Sequence, residues 1–220
     1  MEGRNQQRRQ WQLRLKFIIA LFMGSLSLLM MAESGLQHWK VASPVPLKRG
    51  DLVFRRGHGL WTRYFINMST RERRFSHVGI VASATNLVTI IHSEASDISG
   101  IGDVHISRWS DFFKDSTECA VFRYGKSAEA ANAIAGMAER YKGTPFDSLF
   151  DMEETNKLYC SEMVRVAINE AVGTNLVGFT EVGGHRVVAI DDLYRNDFIR
   201  VYDSKQSQEI TKKGLENGSN

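Results

Sequence analysis

Cys160 has a sequence context that favours a reactive thiol. It opens an amphipathic helix predicted over residues 160–172, whose apolar residues recur at helical spacing and which ends at Gly173. Unpaired backbone N–H groups and the positive end of the helix dipole favour a thiolate at a helix start. The N–H groups of Cys160 and Ser161 can also hold a developing oxyanion. Cys160 is therefore a candidate nucleophile, although a lone cysteine at a helix start is more often structural.

His77 and Glu94 are predicted to face each other across a β-hairpin. The pattern indicates strands over residues 75–84 and 87–94, joined by a turn at Thr85 and Asn86. In that register His77 lies opposite Glu94, about 5 Å away between Cβ atoms, so the carboxylate can orient the imidazole as a base. A shift of the turn places His92 opposite His77 instead, so the residue that orients His77 stays open between Glu94 and His92. A surface ion pair on a half-exposed sheet is the simpler alternative.

Five segments together resemble a known enzyme family. They are 49–54 (RGDLVF), 75–81 (FSHVGIV), 93–95 (SEA), 141–147 (YKGTPFD) and 159–164 (YCSEMV). In this order they resemble the YiiX/YebB-like group of permuted, papain-like (NlpC-type) cysteine hydrolases. The resemblance implies an antiparallel sheet packed against helices, with the histidine preceding the cysteine in the chain. It also implies Cys160 as nucleophile, His77 as base and Glu94 as the orienting residue. The sequence departs from the family pattern at His92, which shares a face with Glu94.

The resemblance implies acyl transfer by a Cys-His-Glu triad through an acyl-enzyme. We expect an amidase or peptidase acting on peptide-like amide substrates in the cell envelope, without a cofactor. A lipid esterase or acyltransferase of the lecithin:retinol acyltransferase type is the alternative, and a non-catalytic binding module is a third.

Weaker candidates surround the triad. Tyr159, Asp51 and Arg74 are candidate substrate-binding residues, since they lie within or beside the family-like segments. An aspartate next to glycine is more often a turn or cap residue, and the arginines before His77 are more simply a solvated charged turn. His77, His92, Glu94 and Cys160 are potential zinc ligands, but no HExxH or CxxC spacing accompanies them, so we expect no metal.

The pattern along the chain predicts one α+β domain over residues 50–202. Further strands are expected near 50–54, 104–106, 118–124 and 198–202, and helices near 57–68, 109–113, 128–141 and 190–194. Ser127 is a predicted N-cap. Residues 33–49 are expected to be a linker, and residues 203–220 a disordered tail because they are polar.

The N-terminal 32 residues predict a membrane helix. Residues 1–16 carry five basic residues and one acidic residue, a net charge of +4, and residues 17–32 carry no charge. Sixteen residues span roughly 24 Å as a helix, which is short for a membrane core of about 30 Å. A signal anchor is favoured over a cleaved signal peptide, with the basic end in the cytoplasm. The catalytic domain is therefore expected on the extracytoplasmic side of a bacterial inner membrane.

The charge distribution argues against nucleic-acid binding. The whole chain carries a formal charge of +3, so residues 17–220 sum to −1 once the N-terminal +4 is removed. The two cysteines, Cys119 and Cys160, form no disulfide framework, and Cys119 lies in a predicted strand as a small buried side chain.

Overall fold

The computed structural model of the protein describes residues 38–195 and 197–217. The predicted basic segment 1–16, the apolar segment 17–32 and most of the linker therefore lie outside the described residues. Within the described ranges, no helix is both long and apolar enough to cross a membrane.

Eight strands and five helices build the described part of the chain. The strands are β1 (Leu52–Arg56), β2 (His77–Ala84), β3 (Val88–Ala95), β4 (Gly102–Arg108), β5 (Glu118–Tyr124), β6 (Thr180–Val182), β7 (His185–Val187) and β8 (Phe198–Asp203). The helices are α1 (Leu60–Met68), α2 (Trp109–Phe113), α3 (Ala128–Arg140), α4 (Cys160–Val172) and α5 (Ser204–Asn217), with short 3₁₀ turns at His38–Lys40 and Ile190–Asp192. The predicted α+β class is confirmed.

Six strands form one antiparallel sheet in the order β4-β3-β2-β1-β5-β8, and β6 and β7 form a separate hairpin. Alternate residues of the central strands face opposite sides, as the pleat requires. Side chains such as Ile80 and Ile91 pack in the larger core cluster with α3 and α4. Side chains such as Val81 and Ile90 pack with Trp109 and neighbouring aromatic residues of a second, smaller cluster. The sheet therefore has two apolar faces, and α4 lies on one of them.

The β2–β3 hairpin, which carries His77, has the expected register, but the expected two-residue turn is not what produces it. Ile80 pairs with Ile91, as a two-residue turn would give, but Ala84 pairs with Val88, which leaves a three-residue connection. A register irregularity between Val81 and Ser83 compensates for the longer turn. The turn prediction is wrong, while the pairs Ile80–Ile91 and Val81–Ile90 have the predicted register.

The two long helices over the sheet begin and end as their sequences predict. The Ser127 side chain accepts a hydrogen bond from the Ala130 N–H at the start of α3. Helix α4 begins at Cys160 and ends at Gly173, whose φ of 69° lies in the left-handed region that favours glycine.

Two segment predictions are wrong. Residues 204–217 form helix α5 rather than a disordered tail, because Asp203 caps the helix by accepting hydrogen bonds from the Lys205 and Gln206 N–H groups. Trp39, assigned to the linker, is buried against Phe113 and accepts a hydrogen bond at its carbonyl from Trp109 Nε1. The folded domain therefore extends beyond residues 50–202 at both ends.

Candidate active site

Cys160 is the first residue of α4, and its side chain is fully buried. The backbone N–H groups of Val78 and Ser161 face the sulfur and favour its ionised form, as expected at a helix start. Burial outweighs them and raises the pKa of the thiol to about 12. The expectation of a thiolate is therefore wrong for this state of the protein, in which the sulfur is protonated at neutral pH.

His77 is the first residue of β2 and is also buried. Its Nε2 shares a hydrogen bond of 2.9 Å with His92 Nδ1, and its ring lies against the ring of Phe112. Burial lowers the pKa of His77 well below 6.5, and the positive charge of Arg55 lowers it further. The imidazole is therefore neutral at physiological pH, which is the form that can accept a proton.

The two predicted catalytic side chains approach the same point of β2 from different sides. Val78, whose N–H faces the Cys160 sulfur, belongs to the core cluster beneath α4. His77 precedes it in the strand, so its side chain leaves toward the other face, where it meets Phe112. Among the hydrogen bonds of the described residues, none joins Cys160 to His77. The structure thus brings the sulfur to the backbone next to His77, while no hydrogen bond joins the two side chains among the described residues.

His92 rather than Glu94 makes the contact that orients His77. The other ring nitrogen of His92, Nε2, shares a hydrogen bond of 2.9 Å with Ser107 Oγ. Glu94 Oε2 lies 3.7 Å from His92 Nδ1, and Oε1 is paired with Arg55. Of the two alternatives that the sequence left open, the structure favours His92 for the orienting contact.

Three of the four potential metal ligands converge. One ligand atom from each of His77, His92 and Glu94 lies within 4.8 Å of the others, and Cys160 is not part of this group. His92 and Glu94 lie two residues apart on β3 and His77 comes from β2, so the set does not have the HExxH or CxxC spacing.

The candidate substrate-binding residues serve the fold instead. Tyr159 is fully buried, and its hydroxyl accepts a hydrogen bond of 2.7 Å from the Val188 N–H. Asp51 is 1% exposed, and both of its carboxylate oxygens are bound by Arg123 at 2.8 Å.

Arg74 is also engaged within the protein. Its guanidinium pairs with Glu118 and Asp203 and lies over the ring of Phe75. Because the partners of Tyr159, Asp51 and Arg74 are all internal, we do not retain these three as substrate contacts.

Sequence reasoning missed Arg55, Ser107 and Phe112. Arg55 pairs with Glu94, donates to the Phe112 carbonyl at 2.7 Å and stacks over the Phe112 ring. A charged residue directly after the apolar run of β1 was a signal for Arg55. Ser107 and Phe112 carry no comparable signal, because their roles arise from a strand pairing and from a helix that folds over the sheet.

A cleft of about 180 Å³ opens beside this cluster. Arg55, His77 and Glu94 line it together with aromatic residues of α1 and the exposed carboxylates Asp97 and Asp115. The cleft therefore joins the predicted base to solvent and has a charged wall.

The comparisons with known proteins agree with this architecture. A family model described as permuted papain-like amidase enzyme, YaeF/YiiX, C92 family, matches residues 46–208. Among solved structures, the crystal structure of metalloprotein yiiX from Escherichia coli O157:H7 superposes with a TM-score of 0.59 and 18% identity, over 72% of this chain and 98% of that chain. A search of curated proteins found no match. Because the family model covers well over half of the chain, this protein belongs to the permuted papain-like amidase family of the YaeF/YiiX type and is an enzyme of the cysteine hydrolase class.

Proposed function

We propose that this protein hydrolyses amide bonds of peptide-like substrates, with Cys160 as nucleophile and His77 as general base. The observation that carries the proposal is the position of the Cys160 sulfur at the N-terminus of a helix, against the backbone of the residue that follows His77. A neutral thiol and a neutral imidazole are both in the form that general-base catalysis requires.

The proposed reaction begins with a movement of the whole His77 side chain from its position beside Phe112 toward the sulfur. Nε2 of His77 is bound to His92, so Nδ1 is the nitrogen that accepts the thiol proton. As the proton moves, sulfur bonds to the carbonyl carbon, and the backbone N–H groups of Cys160 and Ser161 hold the oxyanion. The His77 imidazolium then protonates the departing amine, which leaves a thioester. Water, deprotonated by His77, then attacks the thioester, the carbon–sulfur bond breaks, and the acid is released. The His77 imidazolium returns its proton to the Cys160 sulfur.

His92 has a positioning role in this scheme. With its Nε2 on Ser107 and its Nδ1 on His77, it fixes the tautomer and the orientation of the base. In this proposal, His92 takes the orienting role that the resemblance assigns to Glu94 in a Cys-His-Glu triad.

The walls of the cleft favour a peptide-like substrate over an acyl lipid. Arg55, Glu94, Asp97 and Asp115 line a space of about 180 Å³ beside His77, which suits polar groups of a substrate that approaches the proposed base. A lipid chain would need a long apolar channel at this point. The lipid esterase or acyltransferase function is therefore the second candidate.

The proposal is tested by two cysteine variants of the full-length protein. Turnover of a panel of short peptide p-nitroanilides and acyl p-nitrophenyl esters is measured, with intact mass spectrometry to detect an acyl adduct. We expect Cys160→Ala to abolish both turnover and adduct while its free energy of unfolding stays within about 1–2 kcal/mol of the parent. Cys119→Ala is the matched control, since Cys119 is equally buried but lies in β5. Undiminished turnover by Cys160→Ala would refute the nucleophile assignment.

We also propose that the enzyme is tethered to the bacterial inner membrane with its catalytic domain on the extracytoplasmic side. The basic residues 1–16 and the uncharged residues 17–32 support this placement. Protease digestion of the tagged full chain in spheroplasts tests it, because an extracytoplasmic domain is cleaved without membrane lysis and a cytoplasmic domain is protected.

A further inference from the structure

Ring nitrogens of His77 and His92 and a carboxylate oxygen of Glu94 converge beside the cleft. The proposed hydrolysis gives roles to the two histidines but none to Glu94. His77 Nε2 and His92 Nδ1 are 2.9 Å apart, His92 Nδ1 and Glu94 Oε2 are 3.7 Å apart, and the three groups lie within 4.8 Å of one another. We propose that His77, His92 and Glu94 bind a divalent transition metal such as zinc, and that the bound metal switches the hydrolase off.

The spacing of these atoms matches a zinc site. Zinc binds imidazole nitrogen and carboxylate oxygen at about 2.0–2.2 Å, so two ligands of a tetrahedral site are roughly 3.3 Å apart. The separations of 2.9 and 3.7 Å lie on either side of this value. Small rotations of the side chains are therefore enough to enclose an ion, and a fourth position stays open to water.

Contacts behind the ligands hold two of them in the required orientation. His92 Nε2 is bound to Ser107 Oγ, which leaves Nδ1 as the nitrogen that faces the other ligands. Arg55 holds Glu94 by Oε1, which leaves Oε2 on the side of His92. Metal-binding histidines and carboxylates in proteins are characteristically oriented by such outer contacts.

The local charge permits a cation despite the nearby guanidinium. Arg55 contributes one positive charge to the cleft, while Glu94, Asp97 and Asp115 contribute three negative charges. The balance of +1 and −3 is −2, so a divalent ion would neutralise the site. Arg55 and Glu94 are paired with each other, so the two remaining negative charges are those of Asp97 and Asp115.

Metal at this site is incompatible with the proposed role of His77. A neutral histidine that binds metal through Nε2 carries its proton on Nδ1, so Nδ1 cannot accept the thiol proton. The ring is also held toward His92 and away from the sulfur. This inhibitory consequence rests on the proposed function, whereas metal binding itself does not.

Cobalt(II) provides a direct readout of binding, because its visible absorption reports tetrahedral coordination by nitrogen and oxygen. The full-length protein, stripped with EDTA, is titrated with Co²⁺ and then with Zn²⁺ as competitor. We expect one equivalent to bind and Zn²⁺ to displace it. His92→Asn and Glu94→Gln should each weaken binding by at least about tenfold. His105→Asn is the matched control, since its ring lies 4.5 Å from that of His92 without supplying a ligand atom.

Activity measurements separate this proposal from the hydrolase assignment. We expect Zn²⁺ to inhibit turnover by the parent and EDTA to restore it, and Cys160→Ala to bind Co²⁺ as the parent does. An unchanged cobalt spectrum, or full affinity in His92→Asn, would overturn the site. Zinc-dependent turnover by Cys160→Ala would overturn the inhibitory role. Cobalt binding through these three residues without hydrolysis under any condition would support the site and refute the proposed function.

Discussion

Glu162 is a buried carboxyl group whose replacement should stabilise the protein at alkaline pH. It lies in the first turn of α4, is 5% exposed, and its Oε2 has no hydrogen-bond partner among the described residues. Burial raises its pKa from 4.5 to about 8, while the Tyr159 N–H opposes the shift and the charge of Asp147 adds to it. At neutral pH the folded protein therefore holds Glu162 as the neutral acid.

The sign of the pH dependence follows from this raised pKa. Below pH 4.5 the group is protonated in both the folded and the unfolded state, so it adds no pH dependence. Between pH 4.5 and 8 the unfolded chain ionises while the folded state stays protonated, so stability falls as pH rises. At pH 8 this shift costs the folded state about 4 kcal/mol relative to a group that does not titrate.

Glu162→Gln removes the titration while keeping the shape and the acceptor for the Tyr159 N–H. Urea unfolding of parent and variant is followed at several values between pH 5 and pH 8. We expect the variant to gain stability over the parent progressively with pH, by up to a few kcal/mol at pH 8. Glu181→Gln, an exposed carboxylate in β6, is the control and should show no such trend. A difference between parent and Glu162→Gln that is constant over this range would refute the assignment of a buried neutral acid.

Two further variants test the structural roles of residues that the sequence suggested as substrate contacts. Tyr159→Phe leaves the Val188 N–H without its acceptor, so unfolding should become easier by about 1–3 kcal/mol while KM is unchanged; a raised KM at full stability would contradict this. Asp51→Asn breaks a buried pair with Arg123, and we expect a loss of about 3 kcal/mol in urea unfolding without an effect on KM. Parental stability of Asp51→Asn would show that the pair contributes little.

The parts of the fold predicted from sequence are those that local chemistry determines. Helix α4 begins and ends where predicted, because an apolar stripe, a polar start and Gly173 act within one segment. The helix of residues 204–217 was missed because composition alone does not show that Asp203 caps it. The hairpin register was right although two local features, the turn length and the bulge, were not foreseen.

The candidate site was likewise predictable only as far as local sequence determines it. Cys160 and His77 were identifiable from their motifs, but the pKa of each depends on burial, which arises only from the assembled domain. The expectation of a thiolate considered the helix start and not the loss of water around the sulfur. The choice between His92 and Glu94 needed Arg55, which reaches Glu94 from β1 and removes one of its oxygens from competition.

The contacts around Cys160 indicate which of the two side chains must move in the proposed reaction. The segment that precedes α4 is tied to β3 by a hydrogen bond of 2.5 Å from Ser93 Oγ to the Leu158 carbonyl. On its other side, Ser161 Oγ donates to the Val188 carbonyl at 2.6 Å. The proposed nucleophile is thus held from both directions. His77, by contrast, borders the cleft, and Nε2 is its one ring nitrogen with a hydrogen bond among the described residues, so moving this side chain breaks one side-chain hydrogen bond whereas displacing the helix start breaks two. In the proposed reaction, the catalytic contact therefore forms by movement of the base toward a fixed sulfur, and a ligand that holds the base in place, whether His92 or the proposed metal, would control how often it forms.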